Sequence, residues 1–152
     1  MRREQTYAVW QGQVRMRVLS KGSGPAVVFF HGPWGLTWDP FLDELARSFT
    51  VFAPEHPGTP PDAAADIYPL AGLWDLVLCY DELLEALELE SAAFVGHSFG
   101  ARVACEVVVD VSVGPKGPKE TAVVAASHRA SCRTLPPRVL RLRALAALGP
   151  RG

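Results

Sequence analysis

Val95-Gly96-His97-Ser98-Phe99-Gly100 lies between a short apolar run at 92–95 and a run of small and apolar residues at 101–109. The first run reads as a buried strand and the second as a helix, so the G-x-S-x-G pentapeptide at 96–100 is the turn that joins them. Glycines two positions either side of the serine let strand and helix approach closely. The turn holds the serine in a strained backbone conformation that lifts its Oγ clear of its neighbours. At a helix N-terminus the serine also lies where backbone N–H groups point outward and stabilise a developing oxyanion. Ser98 is therefore the candidate nucleophile. The competing reading is a glycine-rich turn with an incidental serine.

The rest of the chain supplies strands and helices in alternation. Residues 6–10 and 14–19 are short β-prone runs separated by Gln11-Gly12-Gln13, which predicts a hairpin. Val14, Met16 and Val18 alternate with Arg15 and Arg17, so one face of that second strand is wet. Ala26-Val27-Val28-Phe29-Phe30 is a continuous apolar run of the kind covered on both faces in a parallel sheet. A helix over 39–48 places Phe41, Leu42, Leu45 and Phe49 near one stripe, and 50–53 is another strand, ended by Pro54. A helix over 73–89 carries Trp74, Val77, Leu78, Leu84 and Leu87 in register, with its acids elsewhere. This order predicts an α/β fold: a mostly parallel sheet with helices on both faces and the hairpin at one edge.

Charge divides the chain. Residues 1–110 hold 7 Lys+Arg against 15 Asp+Glu, a net of −8, whereas 111–152 hold 8 against 1, a net of +7. We therefore expect a core at 1–110 and an atypical, partly disordered basic tail at 111–152, beginning in a linker-like stretch at 113–120. The total of −1 predicts no nucleic-acid partner, and the arginines of the tail read as a solvated segment. Cys79, Cys105 and Cys132 are odd in number and widely spaced, which favours buried thiols over a metal or redox pair. No apolar run has the length of a membrane span. The expectation is a soluble, cytoplasmic protein with no membrane partner, no metal and no cofactor.

Over residues 14–108 the chain resembles the α/β-hydrolase superfamily, about two thirds of its length. Phe29-Phe30-His31-Gly32-Pro33-Trp34-Gly35 is similar to the loop after that fold's third strand, and Ala53-Pro54-Glu55-His56-Pro57-Gly58 to the loop after its fourth. The 96–100 pentapeptide matches its nucleophile elbow. The resemblance implies that Ser98 attacks a carbonyl to form an acyl-enzyme, with the backbone N–H of Phe99 as one oxyanion donor. Pro33 has no N–H, so either Trp34 supplies the second donor from a shifted loop or the oxyanion hole is weakened. His31 and His56 would pack behind the site, and His97 is the variable residue of the elbow. Trp34, Trp38 and Phe99 are candidates for an apolar acyl pocket, with core packing the alternative.

In this superfamily an acid and then a histidine follow the serine along the chain. Here 54 residues follow Ser98; their acids are Glu106, Asp110 and Glu120, and their one histidine is His128. Glu106 and Asp110 fall on the helix leaving the elbow, which leaves His128, with Glu120, as the candidate base. Leu135-Pro136-Pro137-Arg138-Val139 resembles the lead-in to the sixth strand, which would make 111–132 an insertion. The expectation is the N-terminal half of a serine hydrolase, truncated after the elbow helix. It would act on an ester or related acyl bond of a small molecule and be incomplete as it stands. The alternative is a non-catalytic fragment or pseudoenzyme that binds a small apolar ligand or a partner chain. An uncovered sheet edge would favour a homodimer.

Overall fold

The computed structural model describes residues 1–89, 91–113 and 120–126. The chain runs through β1 (Arg3–Val9), β2 (Val14–Lys21), β3 (Ala26–Phe30), α1 (Pro40–Leu45) and β4 (Thr50–Pro54). A 3₁₀ turn (Ala64–Ile67), α2 (Leu73–Ala86), β5 (Ser91–His97), α3 (Phe99–Val113) and β6 (Glu120–Ala126) follow. Among the described residues the strands form one sheet in the order β1-β2-β4-β3-β5-β6. β1 and β2 form the expected antiparallel hairpin at the edge, while β4, β3, β5 and β6 are mutually parallel.

Local sequence explains the elements. Val14, Met16 and Val18 are buried and Arg15 and Arg17 are not, as the alternation of β2 requires. The hairpin turns on Trp10 and Gln11, both at φ 55°, and Gly12 at φ 81°. Asp39 caps α1 by accepting the Leu42 amide at 3.0 Å, and Pro40 begins the helix where its missing N–H costs nothing.

Helices cover the sheet on both sides. Val14, Met16, Val18, Val28, Phe30 and Phe94 meet α2 and α3 on one face. Leu19, Val51 and Ala53 meet Leu42 and Ala46 of the α1 region on the other. β4 and β5 lie on opposite sides of β3, so the order of travel across the sheet reverses at β3. That reversal opens a crevice at the carboxyl ends of β3 and β5, where such folds bind ligands.

Three expectations are corrected. Trp74 is 56% exposed rather than in the stripe; the buried face of α2 is Leu76, Val77, Cys79, Tyr80, Leu83 and Leu84. At 3.6 residues per turn, Trp74 falls on the side of α2 away from that face. Phe41 is likewise half-exposed at the start of α1, its ring 6.2 Å from that of Phe29. The third lies beyond 110, where α3 continues to Val113 and the sheet gains β6 inside the stretch expected to be an insertion. Its run Thr121-Ala122-Val123-Val124-Ala125 is β-prone, a local signal masked by the basic composition around it. Among the described residues the sheet therefore ends at β6 rather than after the elbow strand β5. Residues 135–139 and the apolar stretch 140–148 lie outside the described residues.

Candidate active site

β5 ends at His97 and α3 starts at Phe99, which leaves Ser98 alone to turn the chain. Its φ is 54°, a left-handed conformation that costs a non-glycine residue about 1–3 kcal/mol and persists only where the surroundings enforce it. They do so here by contact. A Cβ added to Gly96 would lie 2.4 Å from the Ala101 Cα, and one added to Gly100 would lie 2.1 Å from the Phe30 carbonyl oxygen and 2.3 Å from that of His31. Strand-to-helix and helix-to-strand approaches are both closed to any side chain. The Ala101 amide donates to the Ser98 carbonyl at 3.0 Å, and the Ser98 side chain is left exposed. Phe99, at the first position of α3, carries an amide of the kind that helix N-termini leave unpaired.

The loop after β3 comes against the elbow: a Cβ on Gly32 would be 3.1 Å from the His97 Nδ1. Pro33 follows and offers no donor. The three aromatics proposed as a pocket part company. Trp34 is 95% exposed and belongs to neither the core nor a pocket wall among the described residues. Trp38 packs in the cluster under α1 and donates its Nε1–H to Asp43 at 2.8 Å. Phe99 is partly exposed, its ring 5.4 Å from that of His56, edge to face.

His31 and His56 lie behind the site as expected, 2% and 3% exposed. Their bonds fix both tautomers. The His56 amide donates to the His31 Nε2 at 2.8 Å, so that nitrogen bears no proton and His31 donates from Nδ1 to the Gly32 carbonyl at 2.6 Å. The His56 Nε2–H donates to the His31 carbonyl at 2.8 Å, and the His56 Nδ1 accepts from the Tyr80 hydroxyl at 2.7 Å. Burial lowers the pKa of His31; burial and then the neighbouring His31 lower that of His56 to about 3. Burial also holds the Tyr80 phenol well above its ordinary value, so it stays a donor. Sequence reading did not find Tyr80, because nothing local marks a core tyrosine as the partner of a histidine 24 residues earlier. Beside them Glu55, also buried, is held by the Arg17 guanidinium at 2.5 Å.

The acids after the serine are far from it. Glu106 is eight residues along α3, about 12 Å from Ser98 at 1.5 Å per residue. Asp110 is another turn beyond. Glu120 pairs with Ser91 at the far end of β5, about 20 Å from His97 at some 3.3 Å per residue, which removes it as a partner for a base at the elbow. His128 lies outside the described residues. Its position in sequence is two past Ala126, which pairs with His97.

Cys79 is a buried thiol pushed up to about 12 by burial, consistent with a structural role, and Cys132 lies outside the described residues. Among the described residues no three His, Cys, Asp or Glu side chains are grouped to hold a metal ion. None of the described helices is long and apolar enough to cross a membrane.

This geometry agrees with what the chain is similar to. A model of the alpha/beta hydrolase family matches residues 27–152. An epoxide hydrolase from Caballeronia sordidicola is 33% identical over 102 residues, 62% of this chain and 30% of that protein. The dihydrolipoyllysine-residue acetyltransferase component of the acetoin cleaving system of Cupriavidus necator is 34% identical over 104 residues, 64% of this chain and 26% of that protein. Among solved structures, an epoxide hydrolase from Vigna radiata superposes with a TM-score of 0.62 at 23% identity, over 84% of this chain and 41% of its own. The chain thus spans less than half the length of each, and the two curated names describe different chemistries.

Proposed function

The chain belongs to the alpha/beta hydrolase family, and on that premise we propose that it is a serine hydrolase in which Ser98 attacks an ester or related acyl bond of a small molecule. The observation that carries this reading is the backbone of Ser98 itself: an exposed serine held at φ 54° between β5 and α3 by two glycine contacts that admit no side chain. Strain of this kind, kept at an exposed polar residue in the crevice of an α/β sheet, marks a nucleophile.

The serine also favours one reaction class over another. A covalent route through an epoxide needs a carboxylate nucleophile, whose product is an ester that water cleaves. A serine would open the ring to an ether with no hydrolytic exit, so the epoxide hydrolase names do not transfer to this chain. Acyl transfer does have an exit. Ser98 Oγ adds to the carbonyl, the carbonyl oxygen becomes an oxyanion, the leaving group departs with a proton, and water later releases the acid. The Phe99 N–H is the first oxyanion donor, and Trp34 supplies the second in place of Pro33; loss of one donor costs about 10²- to 10³-fold in kcat.

Two of the described histidines offer no free nitrogen for a general base, and His97 is the variable residue of the elbow. His31 and His56 have every ring nitrogen engaged. We assign the role to His128, the one histidine that follows Ser98 in the sequence. That engagement of the buried histidines equally favours a second reading, in which the elbow binds a small apolar ligand or a partner chain without turnover.

Hydrolysis of p-nitrophenyl acetate and butyrate by the chain, beside Ser98→Ala and His128→Ala, separates the two. Turnover lost in both variants is the expected result. Turnover equal in all three proteins overturns the hydrolase reading, and turnover lost only in Ser98→Ala overturns the role of His128.

A further inference from the structure

Behind the elbow, one line of hydrogen bonds joins α2 to the loop that faces Ser98. It starts at the Tyr80 hydroxyl, passes through the ring of His56 to the His31 carbonyl, returns from the His56 amide to the His31 ring, and ends on the Gly32 carbonyl. Every bond is between 2.6 and 2.8 Å, and each neutral ring has one nitrogen donating and one accepting. The direction of the line is fixed by two backbone groups, since the His31 carbonyl only accepts and the His56 amide only donates, which leaves the His56 Nδ1 unprotonated to accept from the Tyr80 hydroxyl.

Its end point matters for the chemistry. Gly32 rests against His97, one residue before Ser98, and is followed by Pro33. The peptide joining Gly32 to Pro33 has a carbonyl and no N–H. Its orientation therefore decides whether an acceptor oxygen turns toward the crevice, where it would oppose a developing oxyanion, or away from it. The His31 Nδ1–H holds that oxygen to the buried ring.

We infer that Tyr80 is a positioning residue: through His56 and His31 its hydroxyl holds the Gly32 carbonyl away from the oxyanion formed at Ser98. The inference rests on the acyl-transfer reading for its consequence and on the hydrogen bonds alone for its geometry. Tyr80→Phe keeps the ring that packs 4.8 Å from that of Phe30 and removes only the donor. The His56 Nδ1 is then buried without a partner, an arrangement that proteins avoid by moving.

The experiment uses the full chain labelled with ¹⁵N-histidine. In the wild-type protein, imidazole shifts at neutral pH are expected to show His31 as the Nδ1–H tautomer and His56 as the Nε2–H tautomer, with His56 not titrating down to pH 5. Tyr80→Phe should move the ring signals of both His56 and His31 and slow fluorophosphonate labelling of Ser98 by about tenfold to hundredfold, the range for displaced groups near a reacting centre. Leu83→Ala, which empties buried volume on the same helix without touching the line, should lower the unfolding midpoint and leave His31 signals and labelling rate unchanged.

Opposite tautomers, or His31 signals that Tyr80→Phe does not move, overturn the inference. So does a Leu83→Ala protein that labels as slowly as Tyr80→Phe. If Ser98 of the wild-type chain is not labelled at all, the acyl-transfer reading fails on its own. The imidazole shifts then still decide whether Tyr80 fixes the loop.

Discussion

The elbow and the wall behind it are built on opposite terms. At the elbow the backbone carries the constraint: one residue at positive φ, two glycines with no room for a Cβ, and a serine side chain left exposed. In the wall the side chains carry it. Tyr80, His56 and His31 satisfy one another in a dry layer and leave no ring nitrogen for chemistry. Two regions in ring contact, through Phe99 and His56, thus differ in what they expose: one presents the side chain we propose as nucleophile, and the other buries every polar atom of its rings.

The comparison is most severely tested where the two regions touch. Gly100→Ala places a Cβ 2.1 Å from the Phe30 carbonyl oxygen, a backbone atom that cannot step aside. A loss of about 4 kcal/mol or more is expected, measured by urea unfolding. Gly12→Ala is the control. Gly12 has φ 81° and open space around it, so only backbone strain is added and about 1 kcal/mol is lost. Equal losses would mean that close approach is not what fixes the elbow.

Acid distinguishes the regions next. The folded-state pKa of His56 is about 3 and that of His31 is also lowered, against an ordinary 6.5 in the unfolded chain. Above pH 6.5 both states are neutral and these rings contribute nothing to pH dependence. As pH falls below 6.5, the unfolded chain takes up protons that the folded wall refuses. Stability then falls, by about 1.4 kcal/mol per pH unit for each ring, until the pH reaches the folded value. Unfolding free energies at pH 7.5, 6.5 and 5.5 check this. A flat profile would show the wall to be wet.

The contrast also explains what was legible in the sequence. The elbow could be read because its constraints are local: glycines at fixed offsets from a serine, between a strand-like and a helix-like run. The β2 alternation and the Asp39–Pro40 helix start were readable for the same reason. The wall was half-read. His31 and His56 were expected behind the site, but their bonds to each other and to Tyr80 span 25 and 24 residues and leave no spacing to find. β6 was missed because composition outweighed a short β-prone run, and Trp74 because an apolar residue in a helix with several apolar positions fits more than one register, and the buried one runs through Leu76, Tyr80 and Leu83.

Ser98→Gly asks the elbow what its geometry costs. Glycine adopts φ 54° freely, so the variant should gain about 1 kcal/mol in unfolding free energy while losing fluorophosphonate labelling altogether. A neutral or destabilising outcome would mean that the Ser98 side chain is held by something other than the turn.

The smallest effect is expected at Trp34, and it bears on which part of that residue matters. The indole is 95% exposed and touches neither core, so Trp34→Ala should change stability by less than about 0.5 kcal/mol. The role we assign to Trp34 belongs to its backbone N–H, which alanine retains. Ser98 labelling should therefore stay within about twofold of wild type by the same token, since no donor is lost. A large fall in labelling with stability unchanged would transfer the role from the amide to the indole. The loop after β3 would then act as the elbow's neighbour through a side chain, as the wall does, rather than through its backbone.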